Sequence, residues 1–349
     1  AMLFVLFFVS YGYFFQGGGW NQNSRICLTR ALIDQRSFKI DCCKEDSPEM
    51  EFVNTGDWAF RDGHYYSNKS PGLSFLAVPP FALTGYFLKD LVPDDPERQI
   101  LLSSYAGTLC TTVLFSVFLC LLIFHVFHHV LRMSIENAFF LTLLYGFGTL
   151  AFSYSTTFYC HQPAAFCSFL AFVLVLHVRR ESSPKKKLLA LLAGFSAASA
   201  VLIEPSAFLT LVVIAAAMLF CKEERKYLPL FFLGCIPLGI VQAAYNSVCF
   251  GHPLASSYSY ANDMVMWKIG GGLFGVPNIR RFYDLLFSPY RGLFFSSPIL
   301  LMALPGSFLF LRDKKLRAEA VLCVTVVLFY SILIAGFHAW HGGSTVGPR

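Results

Sequence analysis

Between Asn54 and Pro80 the chain gathers Asp57, Asp62, His64, Tyr65, Tyr66 and Lys69 directly ahead of an abruptly apolar segment. Carboxylates beside a lysine at a membrane boundary suit two tasks. An ionised carboxylate within hydrogen-bond reach withdraws the proton of an acceptor hydroxyl, and an ammonium neutralises a phosphate as a point charge. Asp57 and, upstream, Asp41 are the candidate bases, with solvated turn residues as the alternative for either. His64, Tyr65 and Tyr66 suit contact with a sugar or a headgroup, since an aromatic ring offers an apolar face and a polar tip; an interfacial aromatic belt uses the same residues. Lys69 precedes Ser70-Pro71-Gly72, which sets its ammonium at headgroup depth, either paired with a lipid phosphate or snorkelling.

Three further places carry groups of interest. His161-Gln162-Pro163 opens an apolar run, and Glu204-Pro205 sets a carboxylate at the corner between two others. Residues 251–292 hold Tyr258, Tyr260, Asp263, Trp267, Arg280, Arg281, Tyr290 and Arg291, an arginine-aromatic loop suited to an anionic lipid head or a glycan. Gly270 to Gly275 lack the following Lys-Ser/Thr of a phosphate-binding loop. No Ser-His-Asp arrangement, metalloprotease motif or haem attachment site stands out.

These groups need elements to hold them. Of 349 residues, 56% are hydrophobic and 14% charged, against roughly 25% charged in soluble domains. Mean hydropathy is +0.57. The apolar residues form continuous runs at about 2–15, 72–88, 99–125, 135–155, 163–178, 188–203, 205–221, 227–250, 293–311 and 320–340. Runs of this kind predict α-helices rather than barrel strands, so the fold class is all-α, a polytopic membrane protein. Run 72–88 carries Pro79-Pro80 and reads as interfacial or re-entrant, which leaves nine spans. Residues 16–98 then form one long external loop, opposite the basic clusters at Arg132, Arg179 to Lys187, Lys222 to Lys226 and Arg312 to Arg317. Segments 16–98, 156–162, Glu204-Pro205, 251–292 and the tail after Trp340 share that face.

Within the first loop, Asn21 or Asn23 is placed to cap a helix lying on the bilayer, with Arg30 and Asp34 paired at i, i+4. The net charge of +6 sits in short loops, where it sets topology, and implies no nucleic-acid partner. Most of the eleven cysteines lie in apolar runs and adjacent Cys42-Cys43 cannot readily bridge each other, so buried or free thiols are expected. The chain opens inside one apolar run and stops just past another, as a segment of a longer protein would.

Gly19-Trp20-Asn21-Gln22-Asn23-Ser24-Arg25, Leu28-Thr29-Arg30-Ala31-Leu32, Ile40-Asp41, Thr55-Gly56-Asp57 and Gly63-His64-Tyr65-Tyr66-Ser67-Asn68-Lys69-Ser70-Pro71-Gly72 resemble bacterial membrane glycosyltransferases of the GT-C superfamily. Protein O-mannosyltransferases and lipid A aminoarabinose transferases belong to it. Trp340-His341-Gly342-Gly343 and Gly347-Pro348-Arg349 are similar to a tail motif of the same group. The resemblance implies a single helical domain over 1–349 in the bacterial inner membrane, with juxtamembrane helices in the first periplasmic loop and a second periplasmic loop over 251–292. It also implies transfer of a sugar from a polyprenyl-phosphate donor to a glycan, lipid or protein acceptor on the periplasmic face.

Many relatives begin the first loop with an Asp-Glu pair where this chain has Asn21-Gln22, and an amide cannot act as the base. The role falls to Asp41 or Asp57, or to a different carboxylate such as Glu204, or the chain is inactive. Lys69 matches a lysine that contacts the donor phosphate, helped by Arg280, Arg281 or Arg349. His161 stands where relatives often carry an aspartate, and Asn21, Arg25, His64, Tyr65 and Tyr66 complete the implied substrate-binding set. No cofactor is fixed by these residues, and a divalent metal stays open. A translocator or binding protein for lipid-linked sugars, using the same contacts without a carboxylate, is the other reading.

Overall fold

The computed structural model describes residues 1–44, 53–180, 185–261, 275–337 and 340–341; Asp263, Trp267, Gly270 to Gly272 and Arg349 lie outside them. The chain is a mostly helical membrane protein. Among the described residues, five helices are long and apolar enough to cross a membrane: Pro96–Val130, His161–Arg180, Lys186–Ile203, Leu228–Phe250 and Arg317–Gly336. Nine such spans were expected, and the difference has local causes. Runs 2–15, 205–221 and 293–311 give the shorter apolar helices Met2–Tyr13, Pro205–Phe220 and Pro298–Arg312. The last two follow residues held off helical geometry by the next proline, Glu204 at φ −144° and Ser297 at φ −143°. Run 135–155 breaks at Thr149, which is extended and donates its hydroxyl to the Tyr145 carbonyl at 2.7 Å. Gly72–Leu91 forms a helix through Pro79 and Pro80 and is not among the five.

Close backbone approach holds part of the bundle together. A Cβ on Gly194 would lie 1.8 Å from the Phe231 carbonyl oxygen, and one on Gly234 would lie 2.0 Å from that of Leu191. Small residues let two membrane helices meet in this way where apolar burial gives no preference between protein and lipid.

The first loop departs furthest from expectation. Its helix Trp20–Arg30 is buried from Gln22 through Thr29, so it is enclosed on every side and does not lie on a surface. It starts after Gly19 without a side-chain cap; Asn23 Nδ2 donates instead to the Asn54 carbonyl at 2.9 Å. The Arg30–Asp34 pair is present at 3.5 Å. Cys27 and Cys43 form a disulfide, which corrects the expectation of free thiols: Cys43 pairs with a residue sixteen positions away, not with its neighbour. An all-α chain was also expected, yet β1 (Trp58–Arg61) and β2 (His64–Ser67) form an antiparallel hairpin. Asp62 and Gly63 turn it with φ of 51° and 82°, the conformation a two-residue hairpin needs.

One core cluster ties this loop to the spans. Ile26, Leu28, Ile40, Val53 and Tyr66 pack with Leu73, Phe158, Ala200, Tyr245 and Phe250. At the other end, Arg179 pairs with Glu224, its Nη1 lies 3.5 Å from Glu319 Oε1, and Arg180 Nη2 lies 3.1 Å from the same oxygen. Three of the basic segments therefore share one end of the bundle, opposite the first loop.

Candidate functional site

The first loop delivers Arg25, Asp57 and Lys69 to the helix ends that carry Cys160, His161 and Glu204. Each position has a local cause. Arg25 sits mid-helix in Trp20–Arg30, whose burial carries the guanidinium inward to 3% exposure. Gly72 lets the chain after Lys69 touch the end of Lys186–Ile203: a Cβ there would lie 2.7 Å from the Leu202 carbonyl. Pro205 holds Glu204 extended at the adjoining corner.

Lys69 Nζ lies 3.1 Å from Asp57 Oδ2, with both side chains largely buried, and 5.6 Å from the centroid of the Tyr258 ring. Asp57 is fixed by its own backbone N–H, which donates to Thr55 Oγ1 at 3.0 Å. Arg25 Nη1 donates to the Asn21 carbonyl at 2.9 Å and to the Asn21 side-chain oxygen, and its Nη2 donates to Cys160 Sγ at 3.0 Å. Cys160 in turn donates to Glu204 Oε2 at 2.8 Å, and His161 Nδ1 lies 3.9 Å from the same oxygen. Tyr154 stands edge-on to His161 with centroids 5.0 Å apart. Burial works against charge on Glu204, but His161, the Cys160 thiol, Arg25 and Lys69 outweigh it and hold the carboxyl below its ordinary value.

Arg25 is the unusual member. Among the described residues no carboxylate stands at ion-pair distance from it, and its Nε is buried without a hydrogen-bond partner. Among the described residues the side-chain amide of Asn68, 1% exposed, also has no hydrogen-bond partner on its nitrogen or its oxygen. Buried cations are normally paired, because desolvation otherwise costs several kcal/mol on the order given by transfer models.

The expected residues separate into two groups. Asn21, Arg25, Asp57, Lys69, His161 and Glu204 meet in this cluster. Asp41 does not join it: its oxygens accept from the Tyr65 backbone N–H at 2.7 Å and contact His64 Nδ1 at 2.8 Å, while Lys39 Nζ lies 2.9 Å from His64 Nε2. That chain pins the hairpin. Tyr65 packs on Trp58 and Phe60, and Tyr66 on Phe250, so both rings serve packing. Burial, foremost, raises the Tyr66 phenol above its ordinary value. Arg280 and Arg281 lie on the helix Ile279–Phe287, and among the described residues no contact joins them to Lys69 or Asp57. The second loop reaches the site through other residues: Tyr258, Ser257 Oγ donating to the Asn68 carbonyl at 2.8 Å, and Tyr260 near Arg61.

Cys160 and Asn68 were not singled out from sequence. A cysteine immediately before a helix start is a signal for an activated or coordinating thiol, and that signal was present in Cys160-His161. Cys160, His161 and Glu204 also place one donor atom each within 4.8 Å of one another, a set whose types suit a borderline divalent metal. Two of the donors are already committed, however: Arg25 donates a hydrogen bond to the Cys160 sulfur, and the Cys160 thiol donates one to Glu204. The trio fits an anion-facing network better than a cation site.

No protein-family model matches the chain, and no curated protein or solved structure matches it either.

Proposed function

We propose that the protein is a membrane glycosyltransferase that moves a sugar from a polyprenyl-phosphate donor to an acceptor hydroxyl on the extracytoplasmic face. The observation that carries this reading is the buried Arg25, with no carboxylate at ion-pair distance among the described residues and with Lys69 acting on the same Glu204 carboxylate at one end of the helices. Lys69 and Arg25 bind the donor phosphate. Phosphate entering at Lys69 competes with Asp57 for the ammonium and frees that carboxylate as it arrives. Asp57, or Glu204 held ionised by its neighbours, takes the acceptor proton; the acceptor oxygen bonds to the anomeric carbon, and the carbon–oxygen bond to phosphate breaks. The departing phosphate carries the electron pair and is neutralised by the two cations.

The Cys27–Cys43 disulfide supports an oxidising compartment for the first loop, and the basic segments at the opposite end support a cytoplasmic side there. Both fit a bacterial inner membrane with a periplasmic active face. The acceptor is a glycan, a lipid or a protein. The test is mass spectrometry of lipids co-purified with the protein and with Lys69→Ala, beside a transfer assay on the same preparations. A polyprenyl-phosphate sugar retained by the parent, depleted in the variant and consumed with acceptor supports the reading. Retention without transfer would mark a lipid-linked-sugar binding or translocating protein, and no such lipid in either sample would overturn the donor class.

A further inference from the structure

On the first-loop side the chain carries an amphipathic helix that the sugar-transfer site leaves unused. Ile279–Phe287 reads Ile-Arg-Arg-Phe-Tyr-Asp-Leu-Leu-Phe, and at 3.6 residues per turn its apolar side chains fill one broad arc while Arg280, Arg281 and Asp284 fill the other. Leu285 is buried and marks the side packed against the protein. Ile279, Tyr283 and Phe287, at i, i+4 and i+8, share a face turned away from it and are 83%, 61% and 43% exposed. Arg280, also exposed, stands seven positions before Phe287 and so borders that apolar face.

The way this helix is anchored decides what covers its apolar face. Gly275 N–H donates to the Gly336 carbonyl at 2.8 Å and Asn278 N–H to that of Ala335 at 3.4 Å, the last residues of the span Arg317–Gly336. Tyr330, in the last two turns of that span, donates its hydroxyl to the Ser206 carbonyl at 2.9 Å, beside the Glu204 corner, whereas Glu319 at its start pairs with Arg180. The helix therefore begins where a span leaves the hydrocarbon on the first-loop side. An exposed apolar arc at that depth meets lipid, and a helix with one apolar and one cationic side lies in the plane of the interface. Val276 and Tyr290, both exposed, flank it, and tyrosine favours headgroup depth.

Charge then selects the lipid. Among the described residues neither the Arg280 nor the Arg281 side chain has an ion-pair or hydrogen-bond partner, although Asp284 stands four and three positions on, at the spacing of a helical pair. An arginine stem lies along apolar surface while its guanidinium reaches the headgroups, and the planar fork matches two phosphate oxygens.

We propose that Ile279–Phe287 is an interfacial anchor whose apolar face lies among the acyl chains of the leaflet on the first-loop side, with Arg280 and Arg281 binding the phosphodiester of an anionic phospholipid. One arginine close to an anionic surface corresponds to about a fivefold preference for that lipid. This site is independent of the sugar-transfer reading.

The test is photocrosslinking from p-benzoylphenylalanine placed at Tyr283 of the full chain, reconstituted in vesicles of phosphatidylcholine and phosphatidylglycerol in equal parts with the same acyl chains. Mass spectrometry of the crosslinked peptide gives the ratio of the two lipid adducts. The same probe at Ile240, exposed within the span Leu228–Phe250, gives the ratio for unselected lipid. Phosphatidylglycerol enriched about fivefold or more at Tyr283 over Ile240 is expected, falling to the Ile240 ratio in Arg280→Gln/Arg281→Gln while lipid adducts still form. Ile279→Ser/Phe287→Ser, at exposed positions that spare the core, is expected to cut the yield of lipid adducts, and Lys69→Ala to leave the ratio unchanged. No lipid adduct at Tyr283, as for a helix facing water or a glycan, would overturn the membrane placement. A ratio equal to that at Ile240, or one that survives loss of both arginines, would overturn the phospholipid site, as would a preference lost in Lys69→Ala, which would assign the arginines to the donor.

Discussion

Both ends of the bundle bury charge, and they do so in opposite ways. At the basic end, Arg179 and Arg180 are matched to Glu224 and Glu319, guanidinium to carboxylate, and Glu224 is wholly buried. At the loop end, Arg25 donates to an amide, a carbonyl and a thiol, while Lys69 holds the Asp57 carboxylate at 3.1 Å. A charge committed to an equal and opposite partner ties elements together and has little left for a ligand. A buried cation satisfied only by neutral groups keeps its field available to an anion. The first end is a clamp, and the second is poised to receive something.

Removing the clamp's carboxylate gives the sharpest contrast. Glu224→Ala strands Arg179 beside a single remaining carboxylate and is expected to cost about 3–5 kcal/mol, read as a fall in the thermal midpoint in detergent. Lys69→Ala is expected to lower that midpoint far less while stripping donor lipid; equal losses at the two ends would erase the distinction. Asp57→Asn is expected to reduce turnover about 10²- to 10⁴-fold with the midpoint held near wild type. If turnover survives it and falls instead in Glu204→Gln, the base is Glu204.

Cys43→Ser opens the disulfide that braces the helix carrying Arg25, and a closed loop of this size is worth about 3 kcal/mol. That loss should appear only under non-reducing conditions, since reductant brings wild type to the same midpoint. The smallest effect concerns pH. The Glu204 carboxyl is held below its ordinary value, so its contribution is complete above the unfolded carboxylate pKa of about 4.3 and is lost as pH falls through the lower, folded value. Thermal midpoints measured below about pH 4.3 should therefore decline less steeply in Glu204→Gln than in wild type. Parallel declines would remove Glu204 from the charge network.

Several parts of this arrangement were legible in the residues. Hydropathy marked every helix that is long enough to span, and i, i+4 spacing gave the Arg30–Asp34 pair. Lys69, His161 and Glu204 were candidates by type and by their place at the ends of apolar runs, Asp57 as a carboxylate of the polar loop and Arg25 through the family resemblance, and they do meet. The hairpin was legible and was missed: Asp62-Gly63 between Trp58-Ala59-Phe60-Arg61 and His64-Tyr65-Tyr66-Ser67 is a strong short-range turn signal, outweighed by the helical character of everything around it. Asp41 looked like a base because a free carboxylate and one that ties a hairpin are the same residue until the fold supplies a partner.

Local chemistry thus fixed which stretches become helices, because an apolar run of about twenty residues can satisfy its backbone in lipid in few other ways. It also fixed where those helices stop, since Glu204 and Ser297 precede prolines that exclude them from helical geometry. Tertiary structure alone decided that Cys160 would stand between Arg25 and Glu204, partners 135 and 44 positions away, and that Cys27 would bridge Cys43. No local preference encodes such meetings. They follow from enclosing the first-loop helix against the ends of the spans, where burial brings polar groups distant in the chain onto one another.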